Sequence, residues 1–428
     1  MILLLIVFFY LVSLHRFVSS WGNNLNFIAF FNYFSVITLI ITPYIAYRFY
    51  PENDKLASLW GWFMVVPEKV YFNYTFILVG AAIMADYLFS SKYNRFSKLN
   101  KIIERLKNNE NNNQVAVKIF GFSVIIKIIS NFIPHLDFVS YISSLFICPV
   151  FILIYFSSFR YRTVFLWFIL TYMLYDAISS SLFGEIFNLI IVSMTIILLN
   201  KKFTYWVKLA LVHGILIGIC LIQIMKPYYR TYIQSNGEKE NNLMIFGKML
   251  VTTTSNIKLV LNHDDLFGLY FRMNQGLLLS KVYDFIPRKR EFVSGRELPK
   301  LVLSVLVPRV IWNDKPEAGG KYNMINYTGY SPGKYTSMNI GPHGEAYANF
   351  GMLGFFYMIV FIGLIKWSLN FVIFLSLKNP YLFVFVPVVF YSSLGNGSDS
   401  IMIINAIFKS FVFVYLFTMI FGFKFRQN

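Results

Sequence analysis

Long apolar segments recur along almost the whole chain, and they limit its possible folds more than any other feature. A helix needs about 20 mainly apolar residues to cross the hydrocarbon core of a membrane, because its backbone N–H and C=O groups must be satisfied within the segment. Of the 428 residues, 57% are hydrophobic and 14% are charged. Soluble domains carry about 25% charged residues. The sequence therefore predicts an all-α, polytopic transmembrane helical bundle.

Eleven segments meet or approach this length criterion. They lie near Ile2–Leu14, Phe27–Tyr47, Val70–Phe89, Val117–Ile133, Phe138–Phe156, Thr163–Ile178, Phe183–Leu199, Trp206–Met225, Tyr347–Leu369, Tyr381–Leu394 and Ile401–Phe421. A further apolar segment, Leu56–Val66, is short and is followed by Pro67. The bundle has 11 spans with its N-terminus outside if this segment lies in the interface, or 12 with a cytoplasmic N-terminus if it crosses.

Basic residues concentrate in short connections between the apolar segments, which predicts the orientation of the bundle. The connection Ser90–Lys118 holds seven Lys or Arg against two Glu. Three smaller basic sites are the pairs Arg160 with Arg162, Lys201 with Lys202, and Lys424 with Arg426. The positive-inside rule makes all four cytoplasmic and leaves the long segment 227–345 outside. The net charge of +18 thus reflects topology, and we expect no nucleic-acid partner.

This external segment separates an N-terminal transmembrane bundle, residues 1–226, from C-terminal transmembrane helices, residues 346–428. It carries fifteen Lys or Arg and ten Asp or Glu. Arginine binds phosphate oxygens bidentately and keeps its charge, so the excess of positive charge indicates that this segment binds an anion such as a pyrophosphate. Each basic residue taken alone could instead be a solvated charge. The basic candidates are Arg272, Arg288, Lys289, Arg290, Arg296 and Arg309.

Two amphipathic stretches predict helices near a membrane surface. The segment Leu298–Trp312 is apolar but interrupted by Pro299 and Pro308, so it favours an interfacial helix or a helix packed on the bundle. In the cytoplasmic connection, apolar residues recur at helical spacing among basic ones, which indicates a helix on an anionic membrane surface or a solvated linker. These apolar residues are Leu99, Ile102, Ile103 and Leu106.

The run Gly341–Gly351 leads directly into a predicted span and holds His343 and Glu345. A carboxylate or imidazole at this position could accept a proton from a sugar hydroxyl as general base. Alternatively, Glu345 complements the helix dipole and His343 is a turn residue. Cys148 and Cys220 lie in apolar segments and are expected to pack. No His or Cys cluster has metal-site spacing, and we expect neither a metal nor a cofactor.

Taken in order, three motifs resemble the bacterial O-antigen or oligosaccharide repeat-unit polymerases of the Wzy type. They are Arg272, the run Leu306–Pro316 that contains Arg309 and Lys315, and the run Gly341–Gly354 that contains Asn349. The resemblance covers about eighty residues. It implies a metal-independent glycosyltransferase of the membrane-embedded, GT-C-like class, which joins undecaprenyl-pyrophosphate-linked repeat units at the outer face of the bacterial inner membrane.

The resemblance further implies that Arg272, Arg309 and Arg296 engage the donor pyrophosphate. The partners it implies are a lipid-linked donor and acceptor, membrane lipid, a chain-length regulator and a flippase. Glycan ligases share the architecture, and the spacing of His343 and Gly354 matches a pattern found in them. A flippase is a further alternative, although its charges are expected inside the spans. A receptor or structural membrane protein is the last alternative.

Overall fold

The computed structural model describes residues 1–89, 92–130, 132–133, 137–180, 191, 194–236, 242–255, 263–307, 312, 320–333, 338–395 and 397–423. Among these residues the regular elements are all helices, numbered in chain order. They are α1 (Ile2–Ser20), α2 (Phe27–Phe49), α3 (Lys55–Trp60), α4 (Glu68–Leu88), α5 (Phe96–Lys107), α6 (Asn112–Ser130), α7 (Asp137–Ser144), α8 (Ile147–Phe156), α9 (Arg162–Ser180), α10 (Tyr205–Asn236), α11 (Asn242–Ser255), α12 (His263–Met273), α13 (Gly276–Phe285), α14 (Leu298–Leu306), α15 (Lys321–Thr328), α16 (Gly341–Phe350), α17 (Gly354–Lys378), α18 (Tyr381–Val384), α19 (Val386–Phe390) and α20 (Ser400–Ile420).

Eight helical segments in the described part of the chain are long and apolar enough to cross a membrane. They are Ile2–Ser20, Phe27–Phe49, Glu68–Leu88, Asn112–Ser130, Phe138–Phe156, Tyr205–Lys226, Gly341–Lys378 and Ser400–Ile420. Each overlaps one of the eleven predicted spans. The prediction of an all-helical fold is therefore confirmed for the described residues, and the eight long apolar helices support a multi-pass membrane protein, with fewer long spans than the 11 or 12 expected.

The three remaining predicted segments differ from the prediction for separate reasons. Helix α9 of the sixth segment covers Arg162–Ser180, and its apolar stretch with described side chains is Arg162–Tyr175. Most of Phe183–Leu199 lies outside the described residues. The segment Tyr381–Leu394 forms two short buried helices, α18 and α19, because Pro387 lacks the backbone N–H that a continuous helix needs. Such a broken helix is tolerated at membrane depth only when protein surrounds it.

The short apolar segment after α2, Leu56–Val66, does not form a span, which argues against the alternative of 12 spans. Its helix α3 contains six residues and cannot cross a membrane. Leu59 and Trp60 are 73% and 63% exposed, as expected for a helix that lies in the interface. The next long helix of this region, α4, begins only at Glu68.

Hydrogen bonds between connections bring several of them to one end of the bundle. The backbone amide of Leu25 donates to Asn94 Oδ1 at 2.8 Å, and the amides of Tyr93 and Asn94 donate to Asn370 Oδ1. Arg105 Nη1 donates to the carbonyl oxygen of Leu377 at 2.6 Å. The basic connection and the second half of α17 therefore share an end, which we call the basic end. The positive-inside rule predicts that this end faces the cytoplasm.

Helix α5 forms as its periodicity predicts, but its apolar face contacts protein. Its four periodic residues are fully buried: Leu99, Ile102, Ile103 and Leu106. The helix packs against α8 and α17. The expectations of a membrane-surface helix and of a solvated linker are both wrong, because the rest of the bundle covers this face.

Candidate functional site

The Arg272 side chain is held against the wall of the bundle at the end opposite the basic end. It lies in the last turn of α12, and its Nη1 donates to the carbonyl oxygen of Gln223 in α10 at 2.8 Å. Helix α10 runs on to Asn236, ten residues beyond the predicted boundary at residue 226. Arg272 is partly buried.

An Asp–His pair lies near the start of the same helix. Asp54 caps α3 with Oδ1, which accepts from the amides of Leu56 and Ala57 at 3.1 and 2.9 Å, while Oδ2 lies 2.8 Å from His263 Nε2. Although burial raises the pKa of Asp54, the Ala57 amide and His263 hold it below its ordinary value. The Tyr50 ring stacks on the imidazole at 4.8 Å. The His263 side chain is 49% exposed, so solvent reaches this pair.

Between α3, α10, α11 and α12 lies a cavity of about 730 Å³, which we call the outer cavity. It is lined by Leu56, Trp60, Gln223, Ile224, Tyr228, Thr231, Tyr232, Met249, Asp264, Phe267 and Gly268. Most of this surface is apolar. Arg272 bonds to one lining residue, Gln223, and Asp54 caps the helix that supplies Leu56 and Trp60. An apolar cavity thus has a cation and a titratable pair at its edge.

A partly buried lysine lies among aromatic rings, one of which contacts Phe271, the residue that precedes Arg272 in the chain. Lys281 Nζ is 4.7 Å from the centroid of Trp62 and 5.1 Å from that of Tyr330, within the range of cation–π contact. Trp62 also packs edge-on against Phe271, with ring centroids 4.3 Å apart. Burial lowers the pKa of Lys281. Aromatic faces beside a cation are suited to an anionic sugar derivative, since one part stacks and the other pairs with charge.

Glu345 lies in a different cluster, which we call the acidic junction, together with Asp399, Asn323, Ser400 and Tyr357. Glu345 Oε1 accepts from Asn323 Nδ2 at 2.8 Å. Its Oε2 accepts from the Ser400 amide at 2.8 Å, from the Ser400 hydroxyl, and from the Tyr357 hydroxyl at 3.4 Å. The residue is 3% exposed. Three donors therefore already occupy Oε2, and burial keeps an incoming hydroxyl away from the carboxylate.

Asp399 is the second carboxylate of the acidic junction and links three helix starts. Its Oδ2 accepts from the Gly320 amide at 2.7 Å and from Asn323 Nδ2 at 2.9 Å, and its Oδ1 accepts from the Gly341 amide at 2.9 Å. The Gly320 and Gly341 amides belong to the N-termini of α15 and α16, and Asp399 itself occupies the N-cap position of α20 without a side-chain cap hydrogen bond. Helix N-termini carry partial positive charge, so they compensate for the buried carboxylates. The alternative considered for Glu345, a helix-terminus role, fits this arrangement.

His343 is also buried, at 1% exposure, within the first turn of α16. Its ring stacks on that of Phe31 at 5.9 Å, and neither ring nitrogen has a hydrogen-bond partner among the described residues. Gly354, the glycine of the same motif, is required by packing, because a Cβ at this position would lie 2.6 Å from the Ala346 carbonyl oxygen. Neither residue borders the outer cavity.

The other predicted anion-binding residues do not come together in one place. Arg288 pairs with Asp284 at 2.6 Å and is exposed, while Arg290 donates to the Asn326 side chain at 2.5 Å. Arg296 is exposed, and Asn349 Nδ2 donates to the Glu345 carbonyl oxygen at 2.9 Å. Arg309 and Lys315 lie outside the described residues.

Of the residues predicted from the sequence, Arg272 alone is described beside the outer cavity. The sequence reasoning missed Asp54, His263, Trp62 and Lys281. Asp54 could have been found as a helix N-cap, since it precedes the helix-compatible run from Lys55 to Trp60. Its pairing with a histidine 209 positions away in the chain carries no local signal.

No protein-family model, curated protein sequence or solved structure matches this chain.

Proposed function

We propose that this protein transfers a glycan from an undecaprenyl-pyrophosphate-linked donor to a second lipid-linked repeat unit at the outer face of a bacterial inner membrane. In this proposal it is a repeat-unit polymerase that builds a surface polysaccharide. The motif resemblance supplies the reaction class. The observation that carries the proposal is the outer cavity, which combines an apolar wall with Arg272 and the Asp54–His263 pair at its edge.

Each part of the donor has a chemically suited surface in this cavity, at its edge, or in the aromatic cluster that contacts Phe271. The apolar wall suits a polyprenyl chain, because burial of each CH₂ group from water is worth about 0.8 kcal/mol. Arg272 suits the pyrophosphate, whose developing negative charge it would stabilise as the glycan departs. Trp62 and Tyr330, with Lys281 between them, suit a sugar adjoining that pyrophosphate.

In the proposed transfer, an acceptor hydroxyl oxygen attacks the anomeric carbon of the donor glycan. The bond between that carbon and the pyrophosphate oxygen breaks, and its electron pair leaves with the undecaprenyl pyrophosphate. The hydroxyl proton passes to a general base. His263 suits this role better than Glu345 or His343, because it is half exposed and oriented by Asp54 while the other two are buried. Glu345 and His343 would then position α16.

The first test uses a polysaccharide-producing strain from which the gene is deleted. We expect the deletion to leave single repeat units on the final anchor, visible as one short band on a glycan gel, and the wild-type gene to restore long chains. Complete loss of polymer on the anchor, with polymer accumulating on the carrier lipid, would instead identify a ligase. Unchanged surface glycan would reject both activities.

The site assignment is tested by complementing this deletion with Arg272→Gln and His263→Asn. Each variant should reduce polymer by at least about 100-fold, the scale typical of losing an electrostatic or proton-transfer group. Lys300→Gln is the matched control, since it removes one exposed positive charge of the same external segment away from the outer cavity. Normal chain length and amount in both variants, at equal membrane expression, would reject the assignment.

A further inference from the structure

A second cavity lies at the basic end, between α1, α4, α17 and the connection that precedes α5. Its volume is about 270 Å³, and we call it the basic cavity. Its charged and amide-bearing lining residues are Arg16, Asn24, Asn26, Asp86, Asn94, Arg95 and Lys366. Its remaining wall includes Leu25, Ile28 and Leu369. It lies at the end of the bundle opposite the outer cavity.

Asp86, the single carboxylate in this lining, is already neutralised. Arg16 Nε lies 2.7 Å from Asp86 Oδ2, and Lys366 Nζ lies 2.8 Å from Asp86 Oδ1. Lys366 also donates to the carbonyl oxygens of Asp86 and Phe89. Asp86 therefore pairs with the partly buried Arg16 and the buried Lys366 but leaves the cavity with a surplus of two positive charges once Arg95 is counted.

Two guanidinium groups retain unused donors. Arg16 uses Nε and Nη2 for Asp86, and its Nη1 makes no hydrogen bond within the described residues. The Arg95 side chain has no hydrogen-bond partner among those residues either. Only the Arg95 backbone is held, at the N-cap position of α5. Arg16 is fixed over the Tyr87 ring at 4.5 Å, so its orientation is set before any ligand arrives. An oriented donor loses less entropy when it binds an anion.

The backbone around the cavity is also fixed. The Asn94 side chain both accepts from the Leu25 amide and donates to the Leu25 carbonyl oxygen, at 2.8 Å each. Asn370 in α17 accepts from the amides of Tyr93 and Asn94. These bonds connect the turn after α1, the start of the basic connection and α17. The cavity is thus built from three parts of the chain that hold one another in place.

We propose that the basic cavity binds a phosphate group at the cytoplasmic end of the bundle, with Arg95 and Arg16 as its ligands. Guanidinium groups pair with phosphate oxygens through two parallel hydrogen bonds. The volume accommodates a phosphate with an attached small group. Basic pockets between helices on the cytoplasmic side receive lipid headgroups, and a free phosphate offers the same chemistry. This site is separate from the proposed glycan transfer and stands without it.

Arg95→Gln is the variant that tests the proposal, because Arg95 takes no part in the Asp86 pairs and its loss leaves them intact. Lys101→Gln removes one exposed positive charge from the same connection, in α5, and is the matched control. Both variants are purified in a neutral maltoside detergent. Binding is measured by calorimetry with dioctanoyl phosphatidylglycerol, with inorganic phosphate, and with dioctanoylglycerol, which has the same tails and no phosphate.

We expect Arg95→Gln to weaken binding of a phosphate-bearing probe by about tenfold, the scale of one charge-assisted hydrogen bond, and Lys101→Gln to change it less than twofold. Binding of phosphatidylglycerol alone would identify a lipid headgroup, and binding of inorganic phosphate as well would identify the phosphate itself as sufficient. Equal binding of dioctanoylglycerol, equal weakening in both variants, or no binding of either phosphate probe would overturn the proposal.

Discussion

Glu345 and Asp399 are two buried carboxylates that share the side-chain amide of Asn323. Asn323 Nδ2 donates to Glu345 Oε1 at 2.8 Å and to Asp399 Oδ2 at 2.9 Å. Burial of like charges is costly unless donors or dipoles compensate for them, and here the donors are amides at helix N-termini together with hydroxyls. Each side chain therefore holds helices together, which is a structural explanation for a motif that looked catalytic in the sequence.

The acidic junction should make stability depend on pH. Burial raises the pKa of Asp399 to about 6, so the folded protein holds this proton more tightly than the unfolded chain does. Stability is then greatest at low pH and falls as pH rises from about 4 through about 6, by at most about 3 kcal/mol for this group. Melting temperature in detergent between pH 4 and 8 measures this fall.

The Glu345→Gln variant provides the comparison for this pH dependence. Glutamine keeps a carbonyl oxygen for the Ser400 amide but removes the negative charge that opposes ionisation of Asp399. Its melting temperature should fall less over the same pH range than that of the wild type. An equal or steeper fall in the variant would show that the two carboxylates do not interact.

At the scale of elements, α16 and α17 are joined by a tight bend rather than a continuous helix. Gly351 has φ +57°, where side chains other than glycine are strained, and its Cα faces the Phe292 ring. Gly354 starts α17 against the backbone of α16. This bend holds in place the helix that carries His343 and Glu345. It explains the spacing of His343 and Gly354 by packing, and neither residue then needs a catalytic role.

Gly354→Ala should therefore destabilise the protein. The new Cβ would lie 2.6 Å from the Ala346 carbonyl oxygen, and backbone cannot move aside as a flexible side chain would. We expect a loss of about 1–3 kcal/mol, typical of overpacking. Gly121→Ala in α6 is the control, since a Cβ there meets nothing within 4 Å and alanine favours helix. Equal melting temperatures for the two variants would contradict the packing argument.

Helices were predictable from the sequence where one local pattern decides them. The apolar periodicity of Leu99 to Leu106 and the length of the run Gly354 to Lys378 each determine a helix within a single segment. Which surface covers a helix depends on the whole fold, so the partners of α5 were not predictable. The same limit applies to the Asp54–His263 pair, whose members belong to helices far apart in the chain.

The whole molecule has two differently charged ends that suggest different ligands. The basic cavity is bordered by Arg16, Arg95 and Lys366, while the outer cavity is largely apolar with Arg272 at its edge. The contacts between connections fix which parts of the chain share an end, and the positive-inside rule assigns the sides. The proposed chemistry requires the outer cavity to face away from the cytoplasm, because that is where lipid-linked repeat units are joined in the proposed reaction.

This orientation can be measured with single cysteines in a Cys148→Ser, Cys220→Ser background. Ser58 in α3 and Ser97 in α5 are both exposed and lie near opposite ends. A membrane-impermeant maleimide should label Ser58→Cys in intact spheroplasts and label Ser97→Cys only after permeabilisation. The reverse pattern would place the outer cavity in the cytoplasm. The Asp54–His263 pair would then face the cytoplasm, where the repeat units exposed at the outer face are absent. The proposed glycan transfer would have to be abandoned, even if the phosphate site were retained.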